Sequence, residues 1–204
     1  MDILMESAFT VPAHTSAFGE TNLPQEREFP ITHKEAVSHD SYLFRFGLEE
    51  NETLGVPIGG CVKFIAEING EHVERSYTPI NDVKHASNFE IVIKIYRPCE
   101  KFPDGGKMTR YLESLSVGDK VKIRGPLGRI QYHGHGKFTI KENPQLNATR
   151  TKIGLIAGGT GIAPCWRLLQ SMIKNNDGTE VTLLFANHTP IDILLKQQLD
   201  SLAA

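Results

Sequence analysis

Near residue 150 the hydrophobic pattern of this chain changes period, and that change limits the folds open to it. Upstream, apolar residues alternate with polar ones. Val62, Phe64, Ala66 and Ile68 alternate with Lys63 and Glu67, although Ile65 interrupts the polar face. Phe89, Ile91, Ile93 and Ile95 share one face of another segment, with Glu90, Val92, Lys94 and Tyr96 on the opposite one. A period of two marks half-buried strands. Ser41 to Phe46 adds an aromatic-rich strand, and Val121 and Ile123 continue the series up to the turn Gly125-Pro126-Leu127-Gly128. Short strands punctuated by turn residues predict an antiparallel barrel or sandwich. One short helix, Lys107 to Leu115, interrupts it behind Gly105-Gly106.

Downstream the grammar is different. Ile153 to Ala157 is a short apolar strand, and Ile162 to Lys174 carries Trp166, Leu169 and Ile173 at helical spacing. Val181 to Ala186 is a second apolar strand, and Ile191, Leu194, Leu195, Leu199 and Leu202 outline a second amphipathic helix. Strand, helix, strand, helix predicts a parallel sheet with helices on its faces. The expected fold is therefore an antiparallel β-barrel followed by a parallel α/β unit. Residues 1–26 read as a flexible extension, 27–142 as the barrel, 143–151 (polar, with Pro144) as a linker, and 152–204 as the α/β unit.

The balance of charge excludes some partners. A formal net charge of −2 on 204 residues gives no electrostatic pull toward nucleic acid. No apolar run reaches the ~20 residues that span a bilayer. The acidic start, with Asp2 and Glu6, does not have the cationic region of a signal peptide. Cys61, Cys99 and Cys165 are odd in number and widely spaced, which fits reduced thiols in a cytosolic or cytosol-facing setting. Cys165 falls in the first turn of the expected helix, where a thiolate is favoured, but a small packing residue is the reading preferred for it, since free Cys behaves as a small hydrophobe.

Two motifs carry chemistry. Arg75-Ser76-Tyr77-Thr78-Pro79 places a cation, a ring and a hydroxyl on one extended stretch. Arg75 and Tyr77 share a face there, and Thr78 points to the other. Such a stretch can neutralise a phosphate, contact a flat heteroaromatic ring and bond a ring nitrogen. An edge strand with a surface Arg and a core Tyr would contain the same residues. Gly158-Gly159-Thr160-Gly161-Ile162-Ala163-Pro164 lies between a strand and a helix, the context a dinucleotide-binding turn requires. Pro164 stands where that fingerprint has its third glycine, and proline is tolerated in a first helical turn. Between them, Gly105-Gly106-Lys107-Met108-Thr109 opens a helix whose N-terminus favours an anion, or is simply a capped loop. His133-Gly134-His135-Gly136 offers two imidazoles without a nearby Cys or carboxylate, so it reads as a tight turn and no metal site is expected.

With these residues in view, the chain resembles the NADH–cytochrome b5 reductase family, within the ferredoxin–NADP reductase-like group. RSYTP, IVIKIY, KFPDGGKMTRYL, IRGPLG, IAGGTGIAP and LLFAN…DILL carry the likeness. The resemblance implies a six-stranded FAD-binding barrel followed by an NADH-binding α/β domain. It assigns Arg75 to the flavin diphosphate, Tyr77 and Thr78 to the ring, and Val92, Lys94 and Tyr96 to the cofactor's lining. Ser76 belongs to the same motif. Gly106, Lys107, Met108 and Thr109 would hold the FAD phosphates. Gly159, Gly161 and Pro164 would shape the nicotinamide turn, and Thr160, with Thr78, would stand at the reacting rings. The implied reaction is hydride transfer from NADH to FAD, then single electrons to a haem protein such as cytochrome b5. One departure is Gly59-Gly60-Cys61, where the family pattern has Gly-Gln-His.

Up to Ala204 the sequence supplies only two strands of the second unit, fewer than the resemblance calls for. A unit of about 60 residues is marginal even when complete. Exposed apolar surface is therefore expected on Val181–Ala186 and Ile191–Leu202. Two other readings stay open: a flavin-binding module without reductase activity, and a barrel–helix interaction domain with no cofactor.

Overall fold

The structure, a computed structural model, describes residues 15–19, 24–83 and 87–203. The strands of the first unit are β1 (Thr15–Ser16), β2 (Gln25–Ala36), β3 (Ser41–Gly47), β4 (Glu52–Thr53), β5 (Cys61–Ile68), β6 (Glu71–Tyr77) and β7 (Asn88–Lys94). Helix α1 (Lys107–Ser114) precedes β8 (Lys120–Leu127), β9 (Ile130–Tyr132), β10 (Lys137–Ile140) and β11 (Ala148–Thr149). Strand β12 (Lys152–Gly158), helix α2 (Ile162–Lys174), strand β13 (Glu180–Ala186) and helix α3 (Lys196–Ala203) complete the chain.

Six strands form one sheet in the order β6-β5-β8-β2-β3-β7, every pair antiparallel. Its inward faces carry Phe29, Phe44, Phe46, Phe64 and Phe89, all fully buried. The ring of Phe46 on β3 meets that of Phe64 on β5 edge to face at 5.3 Å. Phe29 on β2 meets Phe89 on β7 in the same way, also at 5.3 Å. Neither strand pair is adjacent in the sheet, so the sheet curls round a shared aromatic core. Edge-to-face contacts of this kind add to the area the rings bury. The curl stops short of closure: β6 and β7 are its two outer strands. Helix α1 packs against β5 and β6 and inserts Met108 and Leu112 into the core.

The packed region starts earlier than the sequence suggests. Ala17 and Phe18, placed above in a flexible extension, are buried, and Phe18 sets its ring 5.7 Å from Phe29. Arg27 fastens this segment by donating to the Ala17 carbonyl at 3.3 Å. A lone aromatic in polar surroundings has no period, so pattern reading passes over it. The remainder of 1–26 up to residue 14, and 20–23, lie outside the described residues. The segment 143–151 is likewise more than a linker, because β11 within it pairs with β10.

In the second unit β12 and β13 run parallel, Ile153 opposite Val181 and Ala157 opposite Phe185, with α2 as the crossover. Helix α2 has the predicted limits, but its buried face is Ile162, Ala163, Trp166, Arg167 and Met172, and Ile173 is exposed. The expected final helix is broken. A capping box between Thr189 and Asp192 closes a separate turn at Pro190–Asp192, Leu195 adopts φ 57°, and only then does α3 begin. Helices cover one face of this two-stranded sheet. The other is bare, as anticipated: Ile156 is 81% and Leu184 64% exposed.

Among the contacts that join the units, a small apolar core and a buried hydrogen-bonded group come first. Ile80 and Val92 of the curled sheet share a small core with Ala157, Ile162, Ala163, Trp166 and Leu194, and the Trp166 indole donates to the Ile80 carbonyl at 3.0 Å. On the far side Tyr132 donates to the Asp177 carboxylate, which also accepts from the backbone of His135 at 3.2 Å and of Thr179 at 2.9 Å. The Gly136 N–H completes the group by donating to the Tyr132 hydroxyl at 3.1 Å.

Candidate functional site

The open side of the curled sheet is a cleft of about 720 Å³, a normal size for a ligand site. The end of β6 supplies Arg75, Ser76, Tyr77 and Thr78, and β7 with its extension supplies Val92, Ile93, Lys94 and Tyr96. The α1 entrance gives Gly106, Lys107, Met108 and Thr109, and the start of α2 gives Thr160, Gly161 and Pro164. Segments far apart in sequence thus converge on one cavity, as the motifs require. Gly159 alone among the proposed residues is not part of the lining; it sits one step back at φ 49° and shapes the turn.

The chemistry of the lining is cationic and under-satisfied. Neither α1 nor α2 has a side-chain cap; the first turn of α1 borders the cleft uncapped, whereas in α2 the Ile162 N–H bonds back to the Gly159–Thr160 turn and Pro164 has no N–H to offer. Aligned helix N–H groups attract an anion. Arg75 donates only to the carbonyl of its neighbour Glu74, at 2.8 Å, and forms no ion pair among the described residues. Lys107 pairs at 2.5 Å with the exposed Glu71, also on the cleft wall. Gly106 approaches too closely for any side chain: an added Cβ would lie 2.4 Å from the Thr109 hydroxyl.

Some roles differ from those the sequence suggests. The Thr109 hydroxyl is engaged, accepting from the Tyr96 N–H at 3.2 Å and donating to the Gly106 carbonyl at 3.1 Å. It therefore fixes the helix entrance to the end of β7. Tyr77 lies against Phe64, ring centroids 4.7 Å apart, and burial pushes its phenol well above the ordinary range. Val92 is covered by the second unit and Tyr96 remains exposed.

Lys94 is held between two carboxylates, Asp40 at 2.9 Å and Asp192 at 3.0 Å. Burial lowers its pKa, but the bonds to Asp40 and Asp192 outweigh that and leave it raised. The Asp192 carboxyl, bonded by Thr189 and then by Lys94, is held at about 2. Asp40 follows β2 and Asp192 belongs to the second unit, so one ammonium clamps the two halves beside the cleft. His39 adds an imidazole 3.4 Å from Asp40 and 3.9 Å from Asp192. Sequence reading missed this cluster, as nothing local ties Asp192 to Lys94. It also missed Phe102 and Asp104, which line the cleft from the segment before Gly105. The histidine turn is engaged elsewhere: His133 bonds Thr139 at 2.8 Å and His135 bonds the Asp177 carbonyl at 3.0 Å. Burial raises the Cys165 thiol pKa, in keeping with a packing role.

Among the described residues no helix is long and apolar enough to cross a membrane. Residues 28–132 match the family model for an oxidoreductase FAD-binding domain, and residues 155–204 that for an oxidoreductase NAD-binding domain. The chain is 41% identical over 181 residues to NADH-cytochrome b5 reductase 2 of Mus musculus, covering 85% of this chain and 66% of that protein. It is 40% identical over 186 residues to Nitrate reductase [NADH] of Volvox carteri, covering 89% of this chain and 21% of that protein. The crystal structure of the cytochrome b5 reductase domain of Ulva prolifera nitrate reductase superposes with a TM-score of 0.81 at 38% identity, covering 88% of this chain and 68% of that one. The chain spans less than two thirds of the length of these two curated relatives.

Proposed function

From the premise that this chain belongs to the NADH–cytochrome b5 reductase family of FAD- and NAD-binding oxidoreductases, we propose that its cleft holds FAD and that it carries electrons from NADH to a haem-protein acceptor, cytochrome b5 being the leading candidate. The observation that carries the reading is the convergence of the uncapped α1 start, the start of α2 and the unpaired Arg75 on one cavity with Tyr77 on its wall. An adenine dinucleotide has the diphosphate and flat rings that such a lining lacks partners for. Bound there, FAD supplies the conversion between two-electron and one-electron chemistry.

The protein's own residues bind and orient. Arg75, Lys107 and the first N–H groups of α1 hold the diphosphate, with Gly106 allowing close approach and Met108 closing the floor. Tyr77, Thr78 and Ser76 flank the ring, Val92 and Tyr96 line it, and Thr160 with Gly161 and Pro164 faces it across the cleft, where a nicotinamide would stack. Lys94, fixed by Asp40 and Asp192, keeps the two walls at a constant separation. Water exclusion comes from the joint core of Ile80, Val92, Ala163 and Trp166 directly behind. The free thiols fit a reducing, cytosol-facing compartment.

The test is stepwise. Purified protein is titrated with FAD, then given NADH without oxygen, then oxidised cytochrome b5. FAD uptake, bleaching of the flavin absorbance and cytochrome reduction are the expected results; failure to take up FAD refutes the reading. The alternative reading is a flavin-binding module without NADH turnover. Uptake of FAD without bleaching would select it.

A further inference from the structure

Farther along α2, beyond the first turn that borders the flavin cleft, lies a second cavity of about 470 Å³. The two share no lining residue. Its wall includes Arg167, and that residue is anomalous. Arg167 is only 2% exposed, yet its one hydrogen bond among the described residues is from Nη2 to the Val56 carbonyl at 3.2 Å. Nη1 is buried and has no partner among the described residues. Asp82 attracts it but pairs with Lys174 at the cavity's rim.

Buried polar atoms in folded proteins almost always have partners. A buried guanidinium served by one neutral carbonyl is a cation in search of an acceptor, and its planar fork matches a carboxylate or phosphate. With Arg167 and Lys174 against the single carboxylate of Asp82, the lining charge is net positive. The rest of the wall is mixed: Ile58, Trp166, Ile173 and Leu202 give it an apolar part, and Asn81, Gln170, Ser171 and Asn175 a polar one. We propose that this cavity is a binding site for an organic anion, its carboxylate or phosphate head on Arg167 and its apolar body beside Trp166. The proposal is independent of the flavin reading.

Trp166 is the chain's one tryptophan, so its fluorescence reports on this cavity directly. The probes are phenyl phosphate, benzoate and inorganic phosphate. Saturable fluorescence changes with the two aromatic anions, tighter than with inorganic phosphate, are expected. Arg167→Met should weaken binding about tenfold or more, the loss of one charge-assisted hydrogen bond. Gln170→Phe, which fills the cavity and leaves the guanidinium in place, should weaken it similarly and carries the test if Arg167→Met does not fold. The double variant Arg75→Ala/Lys107→Ala, altered only in the flavin cleft, should bind as the parent does. No saturable response, unchanged affinity in Gln170→Phe or in folded Arg167→Met, or loss in the double variant would overturn the proposal. Equal affinity for inorganic phosphate would overturn its organic part.

Discussion

Replacing Tyr132 by phenylalanine removes a single oxygen from the joint between the two units, and the structure fixes what that oxygen does. It donates to the Asp177 carboxylate and accepts from the Gly136 N–H, in a site where Tyr132 is nearly inaccessible. Losing a hydrogen bond to a charged group costs about 1.5–3 kcal/mol, and a buried N–H left without an acceptor about 1–3 kcal/mol. The terms overlap, because Asp177 keeps its bonds from His135 and Thr179. A net loss of about 2–4 kcal/mol is expected, a sizeable part of the ~5–15 kcal/mol typical of a domain. Burial tends to raise the Asp177 carboxyl, but the bonds from Tyr132, Thr179 and His135 outweigh it and leave the pKa lowered. A lowered folded pKa contributes stability that is complete above the unfolded value of about 3.9 and is lost as pH falls through the folded one. Urea unfolding followed by circular dichroism at neutral pH and across the acid range tests both points. Tyr132→Phe should shift the midpoint strongly at pH 7 and flatten the acid limb. A loss below about 0.5 kcal/mol at pH 7, with the acid limb unchanged, would refute the assignment of Tyr132–Asp177 as the fastening.

Other perturbations probe the core, the cleft, the clamp and the bare face. Phe46→Ala removes a ring packed against Phe44, Phe64 and Phe89 and should cost about 3–5 kcal/mol in the same unfolding assay. Gly106→Ala puts a methyl group against Thr109 and should weaken FAD binding, measured by flavin fluorescence titration, with a smaller effect on stability. Asp192→Asn removes a carboxylate held at about 2. Its contribution is present above about pH 4 and lost as pH falls toward 2, so the variant should show a weaker dependence of thermal midpoint on pH in that window. Ile156→Lys with Leu184→Lys should lower light scattering at high protein concentration and leave FAD binding intact.

What was legible in the sequence was whatever repeats locally. The alternation around Phe64 and Ile91 gave strands β5 and β7, and Gly161 followed by an apolar period gave α2 to the residue. The cleft was legible because glycine before a helix and a cation beside a ring have a meaning in isolation. Contacts between distant residues left no such trace. Lys94 and Asp192 stand 98 residues apart, and Tyr132 and Asp177 stand 45 apart. Lys94 reads as a cofactor-lining cation, but nothing in the sequence names its carboxylate partners, nor joins Tyr132 to Asp177, until the chain is folded. Phe18 was overlooked for a similar reason, since its partner is Phe29 in space and polar residues in sequence. The last helix failed differently: the leucine spacing was sound, but Pro190, the Thr189 cap and the left-handed Leu195 outweighed it.

The missing stave between β6 and β7 has a further consequence. A container with a slot in its wall leaves β6 at one edge of the sheet, while β7 at the other is met by Ile80 and Asn81, which bond the backbone of Glu90 and Asn88, and part of its interior faces solvent. Whatever occupies the slot becomes a component of the wall, so filling it and completing the fold are one event. Saturating cofactor at a hundred times its dissociation constant would add about 2.7 kcal/mol. Supply of the small molecule would then govern how long each newly made copy survives, quite apart from how fast it turns over.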